Sequence, residues 1–174
     1  AKYCYCTPQS RMQEEPDMND FMTRFSINCH SSIRCGGNTV LWFDPFRVEN
    51  APADGDVIFV THEHYDHFSP EDIRRVMKAD AVLVLPESCR ETALAAGFAA
   101  EQIMTVQPGG AYQVKGVAFE TVPAYNIGKK FHPQSNRWVG YVVTLEDSSL
   151  IKQTVEEIKK IDGVAEVTAH YEII

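Results

Sequence analysis

Thr61-His62-Glu63-His64-Tyr65-Asp66-His67 decides how the rest of this chain is read. Immediately before it, Asp56-Val57-Ile58-Phe59-Val60 is an apolar run short enough for a buried strand, and just after it Ser69-Pro70-Glu71-Asp72 carries a helix start. The histidines therefore sit on a strand-to-helix loop. His62 and His64 alternate along extended backbone and point the same way, while Asp66 and His67 follow the turn and can reach a second position. Only six histidines occur in the chain, so three of them close together after a strand argue for a site and against a solvated His-rich turn. Imidazole and carboxylate donors suit Zn²⁺, Mn²⁺ or Fe. A closed structural zinc site would favour Cys; His and Asp leave a position for water, which favours catalysis.

The motif resembles the first metal motif of the metallo-β-lactamase superfamily, H-x-H-x-D-H, matched by His62, His64, Asp66 and His67. The extended form THEHYDHFSPEDI resembles its branch of small Zn-dependent hydrolases, which includes ascorbate-phosphate lactonase-like proteins. The resemblance implies an αββα sandwich, one or two zinc ions, and hydrolysis of a small, anionic ester, lactone or phosphodiester. In that chemistry a bound ion lowers the pKa of water towards 7 and polarises a substrate oxygen, and Asp66 orients the nucleophile or receives its proton.

Composition bounds the alternatives. At 174 residues the chain can bury one sizeable core. Its 16 basic and 24 acidic residues give a formal charge of −8, which disfavours nucleic acid as a partner. No apolar run approaches the roughly 20 residues that would cross a membrane. Five cysteines without framework spacing point to a reducing, cytoplasmic setting.

Residues 1–21, with Pro8, Pro16 and many polar side chains, read as an extension with little structure of its own. Residues 22–146 carry the resemblance. Arg24 to Cys29 and Thr39 to Asp44 read as an opening hairpin, with Gly36-Gly37-Asn38 as a turn between them. The family also begins with a hairpin ending in Asp-Pro-Phe, matched by Asp44-Pro45-Phe46. Asp44 at a strand end suits a helper that orients a ligand or caps a turn. His30 is open to two roles, a pocket donor or substrate contact and a satisfied turn histidine. Pro70 to Lys78 reads as a helix, Ala81 to Leu85 as a strand, Glu87 to Ala96 as a helix stopped by Gly97, and Ile103 to Val106 as a strand. That alternation argues for a layered α/β core. Tyr112 to Val114 and Val117 to Val122 form a hairpin around Lys115-Gly116, and Trp138 to Leu145 is a strand.

Where the superfamily places another metal histidine after the second of those hairpin strands, this chain has Ala124-Tyr125-Asn126. His132, in Phe131-His132-Pro133, is the nearest imidazole and a candidate ligand. Tyr125, Asn126, Lys130 and Arg137 belong to the same segment and are candidate substrate contacts, the cations for an anionic group. Beyond Leu145 the resemblance implies a strand ending in a bridging aspartate, and Glu146-Asp147-Ser148-Ser149 does not supply it. Residues 147–174 read instead as a helix, Leu150 to Ile161, and a strand, Val164 to Thr168, with His170 as a candidate last ligand. This shortened or rearranged second half leaves a second reading, a non-catalytic member that binds metal weakly or not at all. A missing half would expose a sheet face and edge, so a homo-oligomer is also expected in that case.

Overall fold

The computed structural model describes residues 23–145. The expected extension at 1–21 and the helix, strand and His170 of 147–174 lie outside the described residues.

The apolar run Val57 to Val60 is buried on both faces because it lies in the middle of a sheet that is covered on both sides. That sheet has six strands in sequence order: β1 (Phe25–Ile27), β2 (Ile33–Cys35), β3 (Leu41–Phe43), β4 (Gly55–Phe59), β5 (Met77–Pro86) and β6 (Ile103–Val106). β1 to β3 pair antiparallel and β3 to β6 parallel. The parallel connections carry helix α1 (Pro70–Val76) between β4 and β5, and a 3-10 turn leading into α2 (Arg90–Ala95) between β5 and β6. A second sheet of three antiparallel strands, β7 (Ala111–Val114), β8 (Val117–Pro123) and β9 (Val139–Thr144), completes the described fold.

Side-chain alternation sorts these elements into layers. Leu41, Phe43, Val57, Phe59 and Val84 of the first sheet meet Val117, Phe119, Val139 and Tyr141 of the second in one cluster. Trp42, Ile58, Val60, Leu83 and Leu85 point the other way, onto Ile73 and Val76 of α1 and Ala93 of α2. The described chain is therefore an α-β-β stack, the mixed α/β architecture that the sequence predicts. Gly55 is required where β4 begins, since a Cβ there would lie 2.7 Å from Ile58 Cδ1 and 2.9 Å from Val76 O. No described helix is long and apolar enough to cross a membrane.

Two expectations need correction. The opening is not a two-stranded hairpin: Ile33 to Cys35, expected as part of a loop, forms β2 between β1 and β3. Three residues flanked by Ser-Ser and Gly-Gly carry almost no periodic signal, and only pairing on both sides makes them a strand. The helix expected to Lys78 stops at Val76, and the strand expected from Ala81 starts at Met77. Pairing of Met77 with Gly55 and the Lys78 Nζ to Asp56 Oδ1 ion pair, at 2.7 Å, hold these residues against β4. The hairpin at Lys115-Gly116 is as expected, with φ of 45° and 84° at its two turn residues.

Candidate metal centre

The loop that leaves β4 is gripped from both sheets. Val60 N donates to Val84 O on β5 at 2.9 Å, and Tyr141 on β9 donates its hydroxyl to Val60 O at 2.8 Å. Val139 N donates to Thr61 O at 3.3 Å, which brings the preceding Trp138 beside His62. Beyond His62 the chain folds into a tight turn, closed by His67 N and Phe68 N donating to His64 O at 2.9 and 2.7 Å. Ser69 then caps α1 and accepts from Asp72 N at 3.4 Å.

Asp44, buried at the end of β3, organises the imidazoles. Its carboxylate accepts from Thr61 N at 2.8 Å, from Thr61 Oγ1 at 2.7 Å and from His67 Nδ1 at 2.7 Å. Because the Thr61 hydroxyl donates to Asp44, it accepts from His62 Nδ1 at 2.9 Å. This network assigns the Nδ1–H tautomer to both His62 and His67, leaving their Nε2 lone pairs for a ligand. The sequence reading of Asp44 as an orienting residue matches this geometry.

His62, His64 and His132 offer ring nitrogens that all lie within 4.8 Å of one another. His62 Nε2 and His64 Nδ1 stand 3.1 Å apart, near the roughly 3.4 Å between two nitrogens bound at about 2.1 Å to one tetrahedral ion. His132 arrives from the loop between β8 and β9. There Asn126 N donates to His132 O at 2.8 Å and Asn126 Nδ2 to Phe131 O at 3.1 Å, closing the loop on itself. His67 adjoins the triad, its ring centroid 3.9 Å from that of His62, and its Nε2 is 3.7 Å from Asp66 Oδ2. Three imidazoles with a neighbouring His/Asp pair suit a divalent ion of borderline softness.

Electrostatics suit ligation. Burial, then the neighbouring His67, His64 and His132, push the His62 pKa down to about 3, so it is neutral at neutral pH. Burial and the neighbouring imidazoles also lower His132. Burial disfavours the His67 imidazolium too, but the Asp44 hydrogen bond and charge prevail and raise its pKa. Burial pushes the Asp44 carboxyl up as well. With three donors turned on it, Asp44 stays the anion and His67 holds the shared proton. On the far side of the loop, burial and then Glu63 push the Cys89 thiol up to about 12.

The other expected site residues lie at varied distances from the triad. His30 is exposed, its ring tilted against Phe46 with centroids 5.4 Å apart, and its Nδ1 is 3.2 Å from Cys29 Sγ. Phe46 in turn meets Tyr65 of the metal loop edge-on at 5.8 Å. Asn126 spends its amide inside the His132 loop, and Lys130 and Tyr125 are exposed on that loop. Arg137 donates to Gln107 Oε1 at 3.0 Å.

Sequence reasoning missed Trp138. Its indole lies against all three imidazoles, with centroids 4.6 Å from His62 and 4.9 Å from both His64 and His132. It is 4% exposed, and its Nε1 has no hydrogen-bond partner among the described residues. A buried donor left unpaired costs about 1–3 kcal/mol. The one available signal was a tryptophan directly before a β-branched strand, which reads equally well as core.

An α-β-β sandwich whose strand-end loop gathers imidazoles with a buried aspartate behind them defines a metallohydrolase-like fold. The match to the Beta-lactamase superfamily domain spans residues 23–151, and the chain belongs to that family. Among solved structures it is similar to one assigned as a metal-dependent hydrolase from Parabacteroides distasonis, at 26% identity and TM-score 0.59, covering 70% of this chain and 56% of that one. It is also similar in fold to Igni18, a metallo hydrolase from Ignicoccus hospitalis, at 18% identity and TM-score 0.51, covering 69% and 55%. CmlA, a diiron β-hydroxylase from Streptomyces venezuelae, shares the fold at 15% identity and TM-score 0.56, over 69% of this chain and 27% of CmlA. The chain thus matches little more than half the length of the two hydrolases.

Proposed function

We propose that this chain is the metal-binding part of a hydrolase that acts on a small anionic ester, lactone or phosphodiester. The observation that carries the reading is the convergence of His62, His64 and His132 beside the Asp66/His67 pair. In this reading His62, His64 and His132 hold one ion, zinc by donor chemistry, with Asp66 and His67 available to a second. An ion so held supplies Lewis acidity and an acidified water.

The chain's own residues do the rest. Asp44 and Thr61 hold His62 and His67 in the tautomer that presents Nε2. Asp66, half-buried at the mouth of the turn, orients the attacking water and takes its proton. Trp138 and the β8–β9 loop exclude bulk water from one side of the imidazoles.

The test is bound metal per chain by elemental analysis, wild type beside His64→Ala, followed by a panel of ester, lactone and phosphodiester substrates. The expected result is at least one ion in the wild type, lost in the variant, with turnover that follows metal content. A metal-supplemented wild type that retains well under one ion per chain overturns the proposal and leaves the non-catalytic reading.

A further inference from the structure

Large apolar side chains left in water are ordinary when scattered and informative when gathered. Among the described residues, exposed Ile27 and Val122 stand singly on β1 and β8, whereas exposed Tyr65, Tyr125, Ile127 and Phe131 all lie on the two loops that supply the imidazole triad. Tyr65 directly follows His64 and Phe131 directly precedes His132, so these side chains adjoin the triad from both sheets. Loop geometry holds them outward. Asn126 N and Nδ2 donate to His132 O and Phe131 O at 2.8 and 3.1 Å, which closes 127–131 into a finger with Ile127 and Phe131 at its two stems, 87% and 71% exposed. Tyr65, 76% exposed, meets Phe46 edge-on at 5.8 Å and is backed by that ring.

Size and charge decide what covers such a patch. At roughly 150–250 Å² for a whole aromatic side chain, the exposed area of the four is on the order of 500 Å². That is the scale of a functional surface patch and falls short of the roughly 800 Å² per partner in a stable protein interface, which argues against a second copy. The formal charge of −8 opposes docking on an anionic lipid surface. A small ligand's apolar arm fits the area, and continuity with the triad puts the ligand's polar end towards the imidazoles. We propose that Tyr65, Ile127 and Phe131 form the face that receives an alkyl or acyl arm, so that the preferred ester, lactone or phosphodiester carries such a chain. That the chain belongs to a substrate rests on the hydrolase reading; the affinity of this face for an alkyl chain does not.

The test titrates metal-stripped protein, labelled at the isoleucine methyls, with butanoate, hexanoate and octanoate at constant ionic strength and below micelle formation. The Ile127 methyl resonance, assigned with Ile127→Val, is expected to shift and saturate, with affinity rising roughly two- to fourfold per added methylene. Phe131→Ser is expected to flatten that ladder, and Ile27→Ser, an equally exposed apolar position on β1, to leave it intact. An Ile127 methyl that does not respond, affinity independent of chain length, or a ladder that Phe131→Ser keeps or Ile27→Ser also loses overturns the proposal. Self-association on size exclusion, or pelleting with vesicles of phosphatidylcholine and phosphatidylglycerol, that is lost in Phe131→Ser assigns the patch to a second copy or to a membrane and overturns it too. A chain-length ladder that survives while metal binding fails overturns the hydrolase reading alone.

Discussion

Asp44 shows how one buried side chain can control a metal site that it does not touch. Replacing it with Asn keeps the shape and an acceptor for Thr61 N, but turns an amide N–H towards His67 Nδ1. His67 must then carry its proton on Nε2, the nitrogen meant for the ion. Asp44→Asn is expected to stay folded while metal affinity, measured by competition with a chromogenic chelator, falls by roughly 10–100-fold. Asp44→Ala is expected to lose about 2–4 kcal/mol of stability as well, because it strands buried donors. Unchanged affinity in the Asn variant would separate Asp44 from the site. The imidazoles also give the metal-free protein a distinctive pH profile. Below pH 6.5 the unfolded chain protonates His62 while the folded chain resists until about pH 3, so stability falls with falling pH across that window. His67 has the opposite sign: its raised pKa stabilises the fold below pH 6.5, and this is lost as pH rises through the folded value. Urea unfolding of chelator-treated protein should therefore peak between about pH 6 and 7, and His62→Gln should flatten the acid limb, by up to roughly 1.4 kcal/mol per pH unit. An acid limb identical in the variant would show that His62 does not resist protonation.

At the scale of elements, α1 holds the metal turn to the first sheet through its own cap. Asp72 accepts from Arg47 N and Val48 N at 3.0 Å each and from Ser69 Oγ at 2.7 Å, so the residue three places past the N-cap also fastens the strand-to-strand connection after β3. Asp72→Ala is expected to cost about 2–3 kcal/mol in urea unfolding, since Val48 N lies in a buried setting. Glu71→Ala, which breaks only the exposed pair with Arg75, should change stability by about 0.5 kcal/mol or less. Equal losses in the two variants would refute the stapling role of Asp72. The strand-loop-helix reading of this region came from local signals alone: the apolar run, the Ser-Pro cap and the acidic first turn. Those signals are written within a few residues, and so they were legible. β2 and the start of β5 were not, because Ile33-Arg34-Cys35 and Met77 become strand through partners 6 to 22 positions away.

The whole molecule puts the site between two sheets, and that relation could not be read along the chain. His62 and His64 lie on a loop of the first sheet, whereas His132 and Trp138 come from the β8–β9 connection of the second, 68 to 76 residues later. The sequence named His132 as a candidate because it was the nearest imidazole to a family position; only the packing of Phe59 against Phe119 and Tyr141, which fixes the sheets face to face, brings it to His62. An ion held by all three imidazoles therefore cross-links the layers and should stabilise the fold globally. At a free zinc concentration a hundred times the dissociation constant, the gain is about 2.7 kcal/mol, or roughly 5–10 °C in Tm for a chain of this size. His132→Ala should fold, since that side chain is only half-buried, but lose most of the zinc-dependent shift. If zinc raises Tm equally in wild type and His132→Ala, the ion is held by the first-sheet loop alone and the two sheets are not joined through it.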